Sequence, residues 1–180
     1  MLRNRKRDGN ASDSPPQPDG GFQALDQMAN WVRFAETKAT ILTAGLGVVT
    51  TVLMTNSRSI FTALTAGCPQ ALIVGLLAAL TIGAFVYTLF WLTTAIGPRN
   101  KSASTHLNRF AWPTLVNASA EQLSKHALEV EARDDAWAQV IDLSALAARK
   151  FRACGKAVRG FACLVILAVA CISTAIALTL

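Results

Sequence analysis

One stretch decides the fold of this protein: Trp31-Val-Arg-Phe-Ala-Glu-Thr-Lys-Ala-Thr-Ile-Leu-Thr-Ala-Gly-Leu-Gly-Val-Val-Thr-Thr-Val-Leu-Met54. Charged residues occur only before Ala39, and the nineteen residues from 39 to 57 carry no charge. A helix rises about 1.5 Å per residue, so this run is about long enough to cross the ~30 Å hydrocarbon core of a bilayer. Because no proline interrupts it, the stretch predicts one amphipathic helix over 22–57 that continues as a first membrane span over about 39–57.

The composition favours a small integral membrane protein. Hydrophobic residues make up 52% of the 180 residues, charged residues only 16%, and the apolar residues occur in blocks. The net charge of +6 comes from residues that flank these blocks and form no aromatic–basic stripe, so we expect no nucleic-acid partner. The four cysteines show no CxxC spacing, which predicts buried thiols and neither a metal site nor a disulfide.

Two further uncharged runs predict two more spans. The second span covers 71–97, where Pro69 suits the first turn and Gly97-Pro98 ends the helix. The third covers 160–180. Residues 1–21 combine an arginine-rich start with a Pro/Ser/Asp/Gly-rich run, which predicts a disordered, basic cytosolic tail.

Residues 98–159 form the sizeable polar part and predict a cytosolic helical module. Ser119 and Gln122 have the spacing of a capping box. Apolar residues recur at helical spacing after it, which predicts a long helix from Ala120 to about Arg159 that continues into the third span. The predicted fold is therefore an all-α membrane protein with three transmembrane helices and a cytosolic helical module between the second and third.

The distribution of lysine and arginine predicts the topology. Six precede the first span, one lies between the first two spans, ten lie in 98–159 and none follows. Because positive charge marks the cytosolic side, we expect a cytosolic N-terminus and an external C-terminus.

No catalytic constellation is visible, and we expect no enzyme activity, cofactor or metal. His106 and His126 are twenty residues apart without a carboxylate or cysteine at ligand spacing. Small residues recur at every fourth position of the first span, which permits a close helix–helix contact. Two alternatives stay open for this ridge, a contact with the third span and a contact between protomers; its members are Ala39, Thr43, Gly47 and Thr51.

Several cations of the polar module could meet a phosphate, although topology and lipid contacts, the usual role of basic residues at a cytosolic boundary, explain most of them. Trp112 and Trp137 could stack on a base, but an aromatic residue on an amphipathic helix more often belongs to the core. The cations are Arg109, Arg149, Lys150, Arg152, Lys156 and Arg159.

Three stretches of the sequence form a recognisable set: Ala35-Glu-Thr-Lys-Ala-Thr-Ile-Leu, Asn108-Arg-Phe-Ala-Trp-Pro113 and Leu143-Ser-Ala-Leu-Ala-Ala-Arg-Lys150-Phe-Arg. Taken together they resemble the Pycsar effector family, and the resemblance covers most of residues 25–180. The family's Ala-Asp-x-Lys-Ala opening is Ala-Glu-Thr-Lys-Ala here, with Glu36 in place of aspartate. Lys38 in the first stretch and Lys150 in the third are the positions that match the family's motif.

The resemblance implies a membrane effector of bacterial antiphage defence that functions with a pyrimidine cyclase. In that family, cyclic CMP or cyclic UMP activates the effector, which impairs the inner membrane and kills the cell before phage multiply. We therefore expect a multi-pass protein of the bacterial inner membrane, acting as a homo-oligomer. The residues expected to contact the nucleotide are Lys38, Arg109, Trp112, Arg149 and Lys150.

Two other functions stay open from the residues alone. A holin-like or small channel protein would disrupt the membrane without nucleotide control. A passive membrane anchor for a soluble partner would cause no leak under any condition.

Overall fold

The computed structural model describes residues 20–65, 67–97 and 106–179, and throughout these ranges the regular structure is helical. The predicted all-α fold with three helices of membrane-spanning length and hydropathy is confirmed, in α1, α3 and α6. The predicted tail, up to residue 19, and the start of the polar module over 98–105 lie outside the described residues. The helices are α1 (Gly21–Thr55), α2 (Ser57–Thr65), α3 (Cys68–Ile96), α4 (Trp112–Leu115), α5 (Ala120–Glu129) and α6 (Ala132–Thr179).

Two of the helices extend well beyond a membrane core. α1 has 35 residues and α6 has 48, so they extend roughly 52 and 72 Å at 1.5 Å per residue. Each runs without a break from a charged section into an uncharged one. The charged section and the apolar section are therefore parts of one continuous helix in each case.

α6 is the central helix, because it packs against α1, α2 and α3. The buried face of α6 consists mainly of small residues, which let the neighbouring backbones approach closely. At Gly160 the approach is so close that a Cβ atom would lie 2.7 Å from both Thr88 Oγ1 and Tyr87 Cδ1 of α3. The small buried residues of this face include Ala147, Ala153, Ala157, Gly160, Ala168 and Ala175.

Two buried threonines on the matching face of α3 need no polar partner from another helix. Thr81 and Thr88 each donate a 2.7 Å hydrogen bond to a carbonyl oxygen one turn earlier, of Leu77 and Ala84 respectively. An unpaired hydroxyl would be costly in an apolar environment. The polar groups are therefore satisfied within α3, and the contact with α6 is left to packing.

The connection between the first two spans contains a helix that was not predicted from the sequence. No helix was predicted between the first span, over about 39–57, and the second, over 71–97, but α2 (Ser57–Thr65) forms there. Ala63 of α2 is fully buried together with Val74 of α3 and Ala175 of α6, so tertiary burial stabilises this short segment. Pro69 lies in the first turn of α3 as expected.

The predicted capping box is confirmed at the start of α5. Ser119 Oγ accepts a 3.1 Å hydrogen bond from the Gln122 backbone N–H, and Gln122 Oε1 accepts one of 2.9 Å from the Ser119 N–H. These reciprocal bonds satisfy two donors that a helix start leaves free.

The prediction of one helix from Ala120 to about Arg159 is wrong, because the chain turns at Val130. This residue is extended, with φ −123° and ψ 132°. The next helix begins when the Glu131 carbonyl accepts a 3.1 Å hydrogen bond from the Asp134 N–H. Apolar periodicity continues across this break, so it does not reveal it.

The small-residue ridge of α1 does not face the core as a unit. Ala39 is fully buried in one cluster with Ala153 and Ala157 of α6, and Gly45, which is not part of the ridge, also lies close to α6, since a Cβ there would be 3.0 Å from Phe161 Cζ. The ridge as a whole therefore does not form the contact with the third span, and the contact between protomers stays a prediction. The three exposed members of the ridge are Thr43, Gly47 and Thr51.

Candidate functional site

An ion pair joins the charged sections of α1 and α6. Lys150 Nζ lies 2.5 Å from Glu36 Oε1. The Lys150 side chain is only 8% exposed, whereas the Glu36 side chain is 48% exposed. Small neighbours on the same face of α6, Ala147 and Ala153, leave room for the long lysine stem. The two helices are thus linked by a charge–charge contact between residues 114 positions apart.

Aromatic side chains extend this link between α1 and α6. The Trp31 ring packs edge-on against Phe151, with centroids 6.0 Å apart. Lys38 Nζ lies 5.5 Å from the centroid of the same Phe151 ring, within the range of a cation–π contact. Lys38 and Lys150 were both expected to contact the nucleotide. In the structure, both contact a residue of the other helix and so connect α1 with α6.

Removing Glu36 should destabilise the protein more than removing Lys150. Glu36→Ala leaves a buried ammonium without its partner, and we expect a loss of roughly 1–2 kcal/mol in the free energy of unfolding. Lys150→Met leaves a carboxylate that water already reaches, so its loss should be smaller. Unfolding by sodium dodecyl sulfate in mixed micelles, followed by tryptophan fluorescence, measures both.

Glu129→Ala is the matched control, because it removes a carboxylate from the exposed Lys125–Glu129 pair, whose N–O distance is 3.9 Å. Its effect should stay within about 0.5 kcal/mol. A greater loss for Lys150→Met than for Glu36→Ala would show that the lysine stem, not the ion pair, stabilises the junction.

A second polar cluster fixes the turn between α5 and α6. Arg109 Nε donates a 2.6 Å hydrogen bond to Asp135 Oδ2, and its Nη2 donates one of 2.6 Å to the Val130 carbonyl. His126 Nε2 lies 3.0 Å from the same Asp135 oxygen, and Asn108 Nδ2 donates to the Asp135 carbonyl at 2.8 Å. This cluster explains why the chain turns at Val130.

The predicted site residues do not meet at one place. Arg109 belongs to the Asp135 cluster, where two of its nitrogens bind protein oxygens. Trp112 lies on α4 and is 61% exposed. Lys38 and Lys150 lie at the α1–α6 junction, and Arg149 lines a cavity beside it. Their contact with a nucleotide stays a prediction.

That cavity lies between the last turns of α3 and the basic section of α6. It is open to the outside and has a volume of about 740 Å³, within the size range of small-molecule sites. Lys156 Nζ lies 3.8 Å from the centroid of the Trp91 ring, which holds the ammonium at the cavity wall. The polar and aromatic residues of the wall include Trp91, Thr94, Arg149, Arg152, Lys156 and Arg159.

Sequence reasoning did not assign this cavity. Arg152, Lys156 and Arg159 were among the cations that could meet a phosphate, but topology and lipid contacts explained most of that set, and only Arg149 and Lys150 of it, with Arg109, were expected at the nucleotide. A signal was present in the spacing of the cations, because 149, 152, 156 and 159 are three, four and three residues apart. Such spacing places side chains on one face of a helix. The contribution of α3 had no sequence signal, because it depends on how two helices pack.

One comparison with known proteins gives a match. Residues 21–179 match the family model described as the Pycsar effector protein domain. The match includes α1 to α6, and with them the ion pair, the Asp135 cluster and the cavity. No curated protein and no solved structure matches the chain.

Proposed function

This chain belongs to the Pycsar effector family, and from this premise we propose that cyclic CMP or cyclic UMP activates it to impair the bacterial inner membrane. The family makes it a multi-pass membrane effector of the Pycsar antiphage system, linked to a pyrimidine cyclase. In the proposal the partner cyclase supplies the nucleotide, and loss of membrane integrity kills the infected cell. The effector itself uses no cofactor and catalyses no reaction.

The observation that carries the proposal is the continuity of α1 and α6. Both helices run unbroken from a charged section into a membrane-competent one. The charged sections are joined by the Glu36–Lys150 ion pair and by the contact between Trp31 and Phe151. A ligand that favours another arrangement of this junction would move the spans, because each helix transmits the displacement along its axis.

The energy that such a switch requires favours an oligomer. Moving a population from about 1:99 to 99:1 takes ~5.5 kcal/mol of differential affinity between the two states. A single nucleotide with one charge-assisted contact supplies only roughly 1.5–3 kcal/mol, which is less than this difference. Several equivalent sites in a homo-oligomer add their contributions, so we expect the working unit to be a homo-oligomer with its N-terminus in the cytosol.

Dye release from proteoliposomes tests the proposal. Purified full-length protein is reconstituted with a trapped self-quenching dye, and cyclic CMP, cyclic UMP, cyclic AMP or no nucleotide is added. We expect release with one pyrimidine nucleotide and none with cyclic AMP. The rate should rise by up to about 100-fold, the ratio of active populations before and after a switch from about 1% to 99%.

Protein-free liposomes with the same nucleotides are the control. Equal release without any nucleotide would contradict nucleotide control and favour a holin-like protein. No release under any condition, with the protein folded and inserted, would contradict membrane damage and favour an anchor.

A further inference from the structure

The cavity between α3 and α6 concentrates positive charge on one helix face. Arg149 and Arg159 are ten positions apart, which is about 15 Å along the helix. The side chains of Arg149, Arg152 and Arg159 are exposed, and Lys156 is exposed beside Trp91. Like charges three and four residues apart repel one another and destabilise a helix. An anion that binds among them relieves this repulsion.

Two other cations of the polar part of the chain are each paired with a carboxylate. Lys150 is paired with Glu36, and Arg109 with Asp135. Within the described ranges, by contrast, no ion pair involves any of the four cations of the cavity. The cavity wall thus carries four formal positive charges that no carboxylate of the described residues neutralises.

The chemistry of the wall selects the kind of anion. A guanidinium group presents a planar fork of N–H donors that matches two oxygens of one phosphate. Three arginines and one lysine line the wall, and Trp91 positions the lysine through its ring. We infer that this cavity binds a phosphodiester monoanion, held by Arg149, Arg152, Lys156 and Arg159.

Two kinds of molecule that carry a phosphodiester can reach the cavity. Arg159 directly precedes the uncharged run of α6, so the cavity lies where the polar part of the chain meets the membrane-competent part. A cyclic nucleotide carries a phosphodiester and arrives from the aqueous side, and a phospholipid headgroup such as phosphatidylglycerol carries one within the membrane surface. The nucleotide source rests on the proposed function, whereas the lipid source does not.

Binding to the full-length protein in uncharged detergent micelles tests the inference in two arms. Equilibrium dialysis measures radiolabelled cyclic CMP and cyclic UMP, and native mass spectrometry measures retained phosphatidylglycerol against phosphatidylcholine. The test variant is Arg149→Gln/Arg152→Gln. We expect it to lose at least about tenfold in affinity for one probe, since a charge-assisted hydrogen bond contributes enough for roughly tenfold.

Arg33→Gln/Lys125→Gln is the matched control, because it removes the same charge from exposed positions outside the cavity. The affinity of this control variant for either probe should differ from that of the wild type by less than about twofold. Arg149→Lys/Arg152→Lys keeps the charge without the forked donors and should bind with intermediate affinity, which tests the arginine geometry even if the glutamine variant is unstable.

Each outcome decides between the sources or removes the inference. If the Arg149→Gln/Arg152→Gln variant loses affinity for the nucleotide in dialysis, the cavity is a nucleotide site. If it loses retained phosphatidylglycerol in mass spectrometry, the cavity is a lipid headgroup site. Wild-type protein that binds neither probe, or cavity variants that bind both as well as the wild type, would overturn the inference. Lipid retained in the cavity without nucleotide-dependent dye release would separate this inference from the proposed function, because only the latter would then fail.

Discussion

Replacing Asp135 with alanine is expected to lower the free energy of unfolding by about 3–5 kcal/mol, as is typical when one partner of a buried ion pair is removed. The Asp135 side chain is 7% exposed, and Arg109 and His126 both bind its carboxylate. Without it the Arg109 guanidinium remains largely buried with no counter-charge. The turn at Val130, which Arg109 also binds, loses its fixed position at the same time.

Denaturation by sodium dodecyl sulfate in mixed micelles measures this loss, and Asp134→Ala is the matched control. Asp134 and Asp135 both lie in the first turn of α6, but Asp134 is exposed and lies outside the cluster. Its removal costs the interaction with the helix dipole alone, about 0.3–1 kcal/mol. Equal losses for the two alanine variants would show that the cluster contributes nothing beyond this dipole term.

A double variant separates the ion pair from its burial. Arg109→Met in the Asp135→Ala background removes the unpaired guanidinium, so part of the stability should return. If the double variant is less stable than Asp135→Ala alone, the Arg109 contact with the Val130 carbonyl outweighs the cost of the buried charge.

Gly160→Val is expected to cost about 3 kcal/mol, the upper part of the usual range for overpacking a close contact. Its Cβ alone would lie 2.7 Å from Thr88 Oγ1 and from Tyr87 Cδ1. Thr88 is fully buried and its hydroxyl already donates to the Ala84 carbonyl, so it cannot turn away without losing that bond. The substitution therefore has to push α3 away from α6.

Gly83→Val is the matched control, because it makes the same change in a membrane-competent helix where no atom lies within 4 Å of the added Cβ. Its effect should stay within about 0.5 kcal/mol. The same detergent denaturation compares the two variants. Similar losses at Gly160 and Gly83 would mean that the contact between α3 and α6 does not account for the effect of the valine.

The two predictions concern different parts of the same helix, α6. The Asp135 cluster fixes the start of α6, and Gly160 sets how closely the same helix approaches α3. The Glu36–Lys150 pair lies between them and connects α6 to α1. A ligand acting on the charged end of α6 therefore acts on a helix whose position is set at three points along its length.

The local features of the fold could be read from the sequence. Three uncharged runs of 19, 27 and 21 residues predicted three membrane-competent helices, because the length of an apolar helix and the thickness of a bilayer are both fixed. The capping box at Ser119 was also predictable, because it depends only on residues three positions apart. Motif resemblance pointed to the family that residues 21–179 match.

The position of Lys150 was decided by the tertiary structure alone. Its sequence context, among other basic residues next to an apolar run, is typical of an exposed boundary cation, yet its side chain is buried against Glu36. Arg149 adjoins it in sequence and lines the cavity instead. Neighbouring residues on a helix point in different directions, and only the placement of α1 and α3 decides which direction is buried.

What the sequence determined by itself is therefore where helices form and which of them suit a membrane, because these properties depend on residues a few positions apart. What only the tertiary structure decided is the break at Val130, the Glu36–Lys150 link and the cavity formed with Trp91. Each of these depends on side chains that lie far apart in the sequence, whose relative positions are set by the packing of the helices and of the segment before α4. Local periodicity contains no information on that arrangement.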